Sequence, residues 1–324
     1  MTMQNEKRSS HGSVAKMIAM LFMKEPSFGL KDAYGALPDV PEHSIRARLH
    51  EGVEHGDFER LGRGIYAVAY KKSDSTDATC MLLQGDGRDL GFLPDESADC
   101  IVTDHPYEIS GQLKGGNRDF ASYDLFQYSL EDMKEKYRVL KPGCFLVEFL
   151  PEESAENFEY VTRVKTMAME AGFSYYAKVP WIKSGFVANT GRKSKNSEDL
   201  VFFTKGRPRA MRPDAKKDKA EPGVRHFMSG AAGMLPTAFE YAPPPKKSRI
   251  HQAEKPAGLL KAVLDYVTYA GELVIDQFAG SGSLGEAALE SGRDCILIEK
   301  SGDFVSAIAK RLGMAAAPEP VPIA

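Results

Sequence analysis

The fold can be inferred from one stretch of the chain, Leu273-Val274-Ile275-Asp276-Gln277-Phe278-Ala279-Gly280-Ser281-Gly282-Ser283-Leu284-Gly285. An apolar run ends in an acid, a glycine-rich turn follows, and a helix can begin after the turn. Glycines at 280 and 282 permit a tight turn and let a ligand approach the backbone closely. The first turn of a helix offers unpaired N–H groups to a carboxylate or a phosphate. This stretch therefore predicts a strand, a turn and a helix that form a ligand site.

A second apolar run, residues 295–298, ends in Glu299, which follows Asp276 by 23 residues. An acid at the end of the neighbouring strand is well placed to bind ribose hydroxyls. The two strand ends together favour a ligand site over a turn with a purely structural role.

Strand and helix patterns alternate along the last three quarters of the chain. The candidate strands are residues 80–83, 98–103, 144–149, 173–179, 200–203, 273–275 and 295–298. The candidate helices between them are residues 124–140, 154–171, 256–268, 283–290 and 304–312. This alternation predicts an α/β fold with a largely parallel, doubly wound sheet.

Residues 1–72 have a different pattern and predict a small separate domain. Three helical patterns are followed by residues 58–68, which alternate around a Gly-Arg-Gly turn and predict a two-stranded wing. This order resembles the winged helix-turn-helix family. The resemblance implies contact with DNA phosphates by basic residues of the third helix and the wing, which are Arg46, Arg48, Arg60 and Arg63. A solvated face or a protein-docking module is the alternative interpretation of this segment.

The remaining boundaries follow from local composition. Residues 73–79 are polar and predict a linker, and residues 315–324 predict a disordered tail. Residues 80–314 then form the α/β domain. Within it, residues 205–255 contain 12 Lys and Arg against 5 Asp and Glu, with many Pro and Gly and no clear period. We interpret this stretch as a basic insertion or long loop.

The overall composition excludes several classes of protein. The 324 residues are 43% hydrophobic and 27% charged, as in a folded globular protein. No apolar run reaches the roughly 18 to 20 residues that span a membrane. The formal net charge is −3, so a nucleic-acid surface has to come from local segregation of charge. Four scattered cysteines without a CxxC pair argue against a zinc site and a disulfide framework, and predict a cytoplasmic protein.

Four motifs resemble those of the amino-methyltransferases that act on DNA. Residues 276–282 read Asp-x-Phe-x-Gly-x-Gly, which is similar to the family's loop for S-adenosylmethionine. Residues 104–107 read Asp-His-Pro-Tyr after an apolar run, which resembles the catalytic Asp-Pro-Pro-Tyr tetrapeptide. Residues 137–143 and 251–256 are similar to two further elements of the family, a helix-to-strand turn and a His-x-x-x-Lys-Pro segment.

The order of these motifs has further implications for fold and partners. The tetrapeptide precedes the cofactor loop, as in the beta group of the family, in which a Rossmann-like methyltransferase sheet is circularly permuted. That group has its target-recognition region between the two halves of the sheet, where this chain has the basic residues 205–255. The resemblance therefore implies S-adenosyl-L-methionine as cofactor with no metal, double-stranded DNA as partner and no membrane partner. It also implies a role in restriction–modification, and a homodimer as the default assembly.

The resemblance implies two sets of site residues. The catalytic set is Asp104, His105, Pro106 and Tyr107. The cofactor-binding set is Asp276, Phe278, Gly280, Gly282, Glu299, Lys255, Pro256 and Asp86. For Asp86, the capping of a turn is an equally good interpretation. Residues 111–119 follow the catalytic set, and we interpret them as a lid or a DNA-contacting loop.

The tetrapeptide has a chemical rationale. An exocyclic amine of adenine or cytosine is a poor nucleophile because its lone pair is delocalised into the ring. Two acceptors aimed at the amino hydrogens favour a more tetrahedral nitrogen and stabilise the positive charge of the transition state. The Asp104 carboxylate and the backbone carbonyl of His105 can supply them, and Tyr107 can stack on a base flipped out of the duplex. By resemblance to the family, an Asp at 104 favours N6 of adenine over N4 of cytosine.

The chain departs from the family pattern at three places. His105 replaces the first Pro of the tetrapeptide, Gln277 stands where Pro is usual, and Ser283-Leu284 stands where Thr-Thr is frequent. Two alternatives to adenine methylation therefore stay open: methylation of cytosine N4 or of RNA, and a DNA-binding regulator with a catalytically decayed core. A nicotinamide oxidoreductase is disfavoured because it leaves the tetrapeptide unexplained.

Overall fold

The computed structural model describes residues 13–69, 71–73, 78–107, 126–185, 196–211, 234–245, 247–250 and 253–314. Several sequence predictions fall outside these residues, namely the lid at 111–119, most of the linker at 73–79, the middle of the basic stretch and the tail at 315–324. Within the described part of the chain, no helix is both long enough and apolar enough to cross a lipid bilayer.

The N-terminal unit consists of three helices and a small antiparallel sheet. Its elements are α1 (Ser13–Leu21), β1 (Phe28–Gly29), α2 (Leu30–Ala36), α3 (Glu42–His55), β2 (Phe58–Gly62) and β3 (Ile65–Val68). The strand order is β1-β3-β2. Ile18, Ile45, Leu49 and Phe58 are buried in its core. Helix α3 is capped by Gly56, whose φ of +81° is readily adopted by glycine.

The other elements within the described residues form one nine-stranded sheet and five helices. In chain order they are β4 (Lys71–Ser73), β5 (Thr79–Gln84), β6 (Ala98–Thr103), α4 (Leu130–Val139), β7 (Leu140–Pro151), α5 (Phe158–Glu170), β8 (Ser174–Lys183), β9 (Ser197–Thr204), β10 (Phe239–Tyr241), α6 (Ala257–Val267), β11 (Leu273–Asp276), α7 (Ser283–Glu290), β12 (Asp294–Glu299) and α8 (Gly302–Leu312). The strand order is β10-β8-β9-β7-β6-β11-β12-β5-β4. Strands β7, β6, β11, β12 and β5 are parallel, and β9 and β4 run antiparallel to their neighbours.

Alternate side chains of the central strands pack into two hydrophobic clusters, one on each face. Met81, Ile101 and Ile275 belong to the cluster that includes α4 and α5, whereas Leu82 and Val102 belong to the cluster of α6, α7 and α8. The first cluster also contains the core of the N-terminal unit, which therefore packs directly against that face. A parallel sheet covered by helices on both faces is apolar on both faces. The predicted α/β class and the Rossmann-like sheet are confirmed.

The sequence locates most elements of this sheet, and the differences have local causes. Strand β6 and helix α7 have the predicted bounds. Helix α5 begins at Phe158 rather than at residue 154, because the Asn157 side chain accepts a hydrogen bond from the Ser154 N–H at 2.7 Å and closes a turn ahead of the helix. The short strands β1, β4 and β10 were not predicted, since two or three residues show no period.

Residues 239–241 of the basic stretch form strand β10 of the sheet, so the long loop expected over residues 205–255 is wrong for these three residues. At the far end, β10 pairs in parallel with β8, and Phe239 lies opposite Trp181. The Trp181 indole N–H donates to the Tyr241 carbonyl at 2.9 Å. Trp181 is therefore a core residue that anchors this edge of the sheet.

Lys205 and Arg209, counted in the sequence among the residues of a DNA-binding stretch, have structural partners instead. Lys205 is buried and forms an ion pair with Glu96 at 3.1 Å. Arg209 donates to Glu272 at 2.6 Å and to the Val267 carbonyl at 2.6 Å. Both basic residues come after the last residue of β9. Because β9 runs antiparallel to β7, they lie near the end of the sheet where β7 begins. That end is opposite the carboxyl ends of the parallel strands.

The four cysteines are free and buried. They are Cys80, Cys100, Cys144 and Cys295. Their thiols are part of the packed interior of the sheet, and burial raises the pKa of Cys100 and of Cys144. They therefore act as small core side chains.

Candidate active site

The carboxyl ends of β6 and β11 meet at one edge of the sheet. The two strands are adjacent and parallel, with Ile275 opposite Ile101. Asp104 directly follows β6, and Asp276 is the last residue of β11. The Thr103 hydroxyl donates to Asp276 Oδ1 at 3.3 Å and joins the two strand ends. The tetrapeptide and the glycine turn, which are far apart in sequence, are therefore neighbours in the fold.

Lys255 contacts the first residue of the tetrapeptide. Its Nζ donates to Asp104 Oδ2 at 2.5 Å and lies 3.0 Å from Glu198 Oε2. Burial raises the pKa of Asp104, and the attraction of Lys255 opposes that rise. Burial alone would lower the pKa of Lys255, but Asp104 and Glu198 raise it above its usual value. Lys255 is therefore an ammonium that favours the ionised form of Asp104.

The side chain of His105, the second residue of the tetrapeptide, is buried. Its Nε2 lies 2.5 Å from the Tyr160 hydroxyl oxygen, and its centroid lies 4.0 Å from that of the Tyr128 ring. The Tyr160 hydroxyl accepts the Tyr128 N–H at 3.4 Å, so its own proton can be donated to Nε2. Nδ1 faces Glu148 Oε2 at 3.8 Å and makes no hydrogen bond with any described residue. The residue that replaces proline is thus held by its side chain.

A buried ion pair lies beneath this ring. Lys136 on α4 and Glu148 on β7 have fully buried side chains and are hydrogen-bonded to each other. Lys136 Nζ also donates to the Tyr128 hydroxyl at 2.7 Å. Burial lowers the pKa of Lys136. Burial alone would raise the pKa of Glu148, but Lys136 and His105 lower it overall. The pair ties α4 and β7 to the ring of the tetrapeptide histidine.

Tyr107 presents an aromatic ring close to Asp104. The ring is partly buried, and its centroid lies 5.5 Å from that of His105. The Phe126 N–H donates to the Pro106 carbonyl at 3.1 Å, which holds the backbone of the tetrapeptide in place. Burial and the nearby Asp104 carboxylate raise the pKa of Tyr107, so the phenol is neutral. A neutral aromatic ring beside a carboxylate suits the stacking of a base.

The glycine turn has the geometry that the sequence predicts. Gly280 and Gly282 have φ values of +52° and +75°, which favour glycine. The Gly280 N–H donates to Glu299 Oε2 at 2.9 Å, and the Ser301 N–H donates to Oε1 of the same carboxylate at 2.8 Å. Glu299 is therefore fixed against the turn by two backbone groups.

Gly285 completes a Gly-x-Gly-x-x-Gly spacing with the other two glycines of the turn. A Cβ at Gly285 would lie 2.8 Å from a methyl carbon of Leu297 and 2.9 Å from one of Leu312. Its hydrogen side chain therefore lets α7 pack closely on the sheet. Because this spacing also occurs in dinucleotide-binding turns, the tetrapeptide is what separates the two classes.

Gln277, which stands where proline is usual, connects the glycine turn to the loop of residues 86–88 by a hydrogen bond. Its Nε2 donates to the Gly87 carbonyl at 2.7 Å. A Cβ at Gly87 would lie 1.8 Å from the Gln277 carbonyl oxygen, so the two backbones touch. Asp86 caps this loop by accepting the Arg88 N–H at 2.9 Å, which is the turn-capping interpretation of that residue.

Asp276 and Phe278 lie at the start of the glycine turn, on the side of Thr103 and Phe126. The Phe278 N–H donates to Asp276 Oδ1 at 3.1 Å, and the Phe278 ring lies 5.4 Å from that of Phe126. Burial raises the pKa of Asp276 to about 7. Pro256 immediately precedes α6 and positions Lys255 at the start of that helix.

Sequence reasoning missed Glu198, Tyr160 and the Lys136–Glu148 pair. Glu148 carried a readable signal, since it is a single charge inside the apolar run of β7. A buried charge of this kind requires a partner. Glu198 and Tyr160 carried none, because each contacts the site from a segment remote in sequence.

Of the four arginines of the N-terminal unit that were predicted to contact DNA, two have side-chain partners and two are exposed near a turn. Arg46 is hydrogen-bonded to the Tyr34 hydroxyl, and Arg48 is paired with Glu51. Arg60 and Arg63 are exposed near the turn between β2 and β3. These last two are basic residues of the predicted wing that face solvent.

The chain is similar to several known proteins. It is 24% identical over 229 residues to the type II methyltransferase M.HpaI of Haemophilus parainfluenzae, which covers 69% of this chain and 70% of that protein. It is 29% identical over 231 residues to YubD of Escherichia coli (strain K12), and this match covers 71% of this chain and 88% of that protein.

Two solved structures share the fold. M1.HpyAVI in its complex with SAM has a TM-score of 0.51 and 18% identity, and the match covers 72% of this chain and 98% of that one. The PvuII DNA methyltransferase, which is cytosine-N4-specific, has a TM-score of 0.52 and 20% identity, with 72% and 86% covered.

The family model of the N6/N4 DNA methylases matches residues 98–311, which is more than half of the chain. The matched region runs from β6 through the glycine turn to α8, and it includes both the tetrapeptide and the cofactor-type loop. With the tetrapeptide ahead of the glycine turn, this protein belongs to the DNA methylase family, in the beta group of the amino-methyltransferases.

Proposed function

We propose that this protein transfers a methyl group from S-adenosylmethionine to the N6 amino group of adenine in DNA. The observation that carries the proposal is the Asp104 carboxylate beside Asp276 and the glycine turn, at the carboxyl ends of two adjacent parallel strands. Open α/β sheets bind their ligands at this edge. Membership of the DNA methylase family supplies the reaction class.

The residues at the glycine turn fit S-adenosylmethionine. Glu299 is fixed by two backbone N–H groups and keeps lone pairs for ribose hydroxyls. Asp276 offers a buried carboxylate to a cationic ligand, and Phe278 offers an aromatic surface. Gln277 Oε1 is a buried acceptor without a hydrogen-bond partner among the described residues. The cofactor, when bound here, supplies an electrophilic methyl group on its sulfonium.

The tetrapeptide prepares the attacking amine. Asp104 and the backbone carbonyl of His105 accept hydrogen bonds from the two amino hydrogens, which localises the lone pair on nitrogen and stabilises the developing positive charge. The neutral Tyr107 ring stacks on the flipped base. Holding the amine in line with the methyl group lowers the entropic part of the barrier.

The choice of adenine rests on residue 104. By resemblance to the family, an Asp at this position favours adenine N6, whereas a Ser is the alternative that would favour cytosine N4. The test is to expose unmethylated DNA to the protein and labelled S-adenosylmethionine, and then to separate the nucleosides. We expect label in N6-methyladenine. Label in N4-methylcytosine would show instead that cytosine is the methylated base.

Asp104→Ala tests the site itself. We expect methylation to be lost, while Asp199→Asn retains it, because Asp199 is a neighbouring strand carboxylate that pairs with Lys178 at 3.0 Å. Wild-type methylation by Asp104→Ala would overturn the assignment of the site.

We also propose that the N-terminal unit is a winged helix-turn-helix domain that contacts DNA through its wing. The chain order α1-β1-α2-α3-β2-β3, the sheet order β1-β3-β2 and the exposed Arg60 and Arg63 support this proposal. Each phosphate contact contributes about one unit to the salt dependence of DNA binding.

The double variant Arg60→Ala/Arg63→Ala tests the wing. We expect weaker DNA binding and a shallower salt slope, whereas Arg48→Ala, whose guanidinium is paired with Glu51, should keep the wild-type slope. Identical slopes for all three proteins would exclude the wing from the DNA interface.

A further inference from the structure

One ammonium is shared between two carboxylates at the centre of the site. Lys255 Nζ lies 2.5 Å from Asp104 Oδ2 and 3.0 Å from Glu198 Oε2. Its side chain is only 10% exposed. The three residues come from separate segments: the end of β6, the residue before Pro256 and the second residue of β9. The fold therefore assembles a bridge that no local sequence pattern encodes.

The contact with Asp104 conflicts with the role proposed for that carboxylate. An oxygen that accepts a hydrogen bond from an ammonium is a weaker acceptor for the amino group of a base. An ammonium held this close also disfavours the positive charge that develops on the attacked nitrogen. Lys255 therefore has to leave Asp104, at least partly, when the base enters.

Glu198 is built to take over the ammonium. Its other oxygen, Oε1, is engaged by Lys183 at 2.5 Å, so the carboxylate is oriented and Oε2 is directed at Lys255. Burial alone would raise the pKa of Glu198, but Lys255 and Lys183 lower it, so it is ionised. The Phe149 ring, whose centroid is 5.2 Å from Lys255 Nζ, adds a cation–π contact that does not depend on Asp104.

We propose that Glu198 is a positioning residue that holds Lys255 away from Asp104 when the target base enters. In the free enzyme Lys255 bridges both carboxylates and neutralises Asp104. With the base in place, the amino group occupies Asp104 and Lys255 stays with Glu198 and Phe149. This inference rests on the proposed function, because it requires Asp104 to be the acceptor for the amine.

The decisive variant is Glu198→Gln, which keeps the size of the side chain and removes its charge. Lys255 then has Asp104 as its one remaining carboxylate partner in the bridge and competes with the base. Loss of a charge-assisted hydrogen bond corresponds to roughly a tenfold effect or more. We expect kcat to fall about tenfold, with the KM for DNA and the Kd for S-adenosylmethionine within about twofold of wild type, because phosphate contacts and the glycine turn are untouched.

Two further variants separate positioning from stability. Asp199→Asn is the matched control, since it removes a lysine-paired carboxylate one residue along the same strand; we expect its kcat to be normal. Glu198→Asp restores the charge and should recover part of the lost kcat. Fluorescence of Trp181, which lies opposite Glu198 and is the single tryptophan of the chain, reports whether the local fold is intact in each variant.

The outcomes distinguish this inference from the function on which it rests. Normal kcat for Glu198→Gln, equal losses for Glu198→Gln and Asp199→Asn, or no recovery by Glu198→Asp would each overturn the positioning role. If Asp104→Ala is inactive while Glu198→Gln is normal, the proposed function stands and this inference alone fails. If Asp104→Ala is fully active, both fail.

Discussion

Nε2 of His105 lies 2.5 Å from the hydroxyl oxygen of Tyr160. The family pattern has a proline at the place of His105, and a proline fixes φ through its own ring. Here the backbone carries no such ring, but the imidazole is buried and fastened to a tyrosine on α5. The side-chain contact thus restrains the same peptide whose carbonyl we propose to be an acceptor for the amine.

The first prediction concerns this restraint. Tyr160→Phe removes the hydroxyl, so His105 and the carbonyl next to it become less well fixed. We expect kcat to fall about fivefold, the equivalent of about 1 kcal/mol for one hydrogen bond, with the KM for DNA unchanged. The measurement is steady-state methylation of DNA over a range of DNA concentrations.

A double-mutant cycle supplies the control. In the His105→Pro background the ring of proline fixes φ, and Tyr160→Phe should cost nothing further. If the two substitutions instead lower kcat independently, Tyr160 does not act through His105.

The second prediction concerns the buried ion pair. Lys136→Met leaves Glu148 as a buried charge without its ammonium. We expect the free energy of unfolding to fall by about 3–5 kcal/mol, as is usual when one partner of a buried pair is removed. Urea denaturation followed by circular dichroism measures it.

The double variant Lys136→Met/Glu148→Gln should regain much of this loss, because it no longer buries an unpaired charge. A single variant as stable as wild type would contradict the structural role of the pair.

The third prediction concerns pH. Burial raises the pKa of Asp276 to about 7 from its usual value of 3.8. The folded state therefore binds this proton more tightly than the unfolded state, and the contribution of Asp276 to stability is complete below about pH 4 and is lost as the pH rises to about 7. The loss is at most about 1.4 kcal/mol per pH unit.

Asp276→Asn isolates this contribution. We expect the melting temperature of wild type, relative to that of Asp276→Asn, to decrease between pH 5 and pH 7.5 in the absence of cofactor. A difference between the two proteins that is constant with pH would show that Asp276 does not titrate in this range.

The fourth prediction concerns the basic stretch. Arg209 is bound to Glu272 and to a backbone carbonyl, at the end of the sheet where β7 begins. We expect Arg209→Ala to lower the melting temperature and to leave the salt dependence of DNA binding unchanged, since this side chain is not a phosphate contact. A weaker salt dependence of DNA binding in the variant would show instead that Arg209 contacts a phosphate.

The sequence by itself determined the α/β class, the order of the motifs and the two strand ends at Asp104 and Asp276. The strands and helices follow from local physics, and the motifs follow from their resemblance to a known family. An apolar run bounded by turn residues predicts β6, and a glycine turn ahead of a periodic segment predicts α7, so both have the predicted bounds. Two parallel strands then bring their carboxyl ends to the same edge, so the approach of the two motifs could be expected.

Only the tertiary structure decided which charges meet. Lys255 contacts Glu198, and Lys136 contacts Glu148, because the register of β7, β9 and the sheet brings remote segments together. The same register carries Arg209 to the end of the sheet remote from Asp104, although its charge suggested a DNA contact. A count of charges along a chain contains the sign of each residue and not its partner, because ion pairs form across strands and helices whose separation in sequence is unrelated to their distance in the fold.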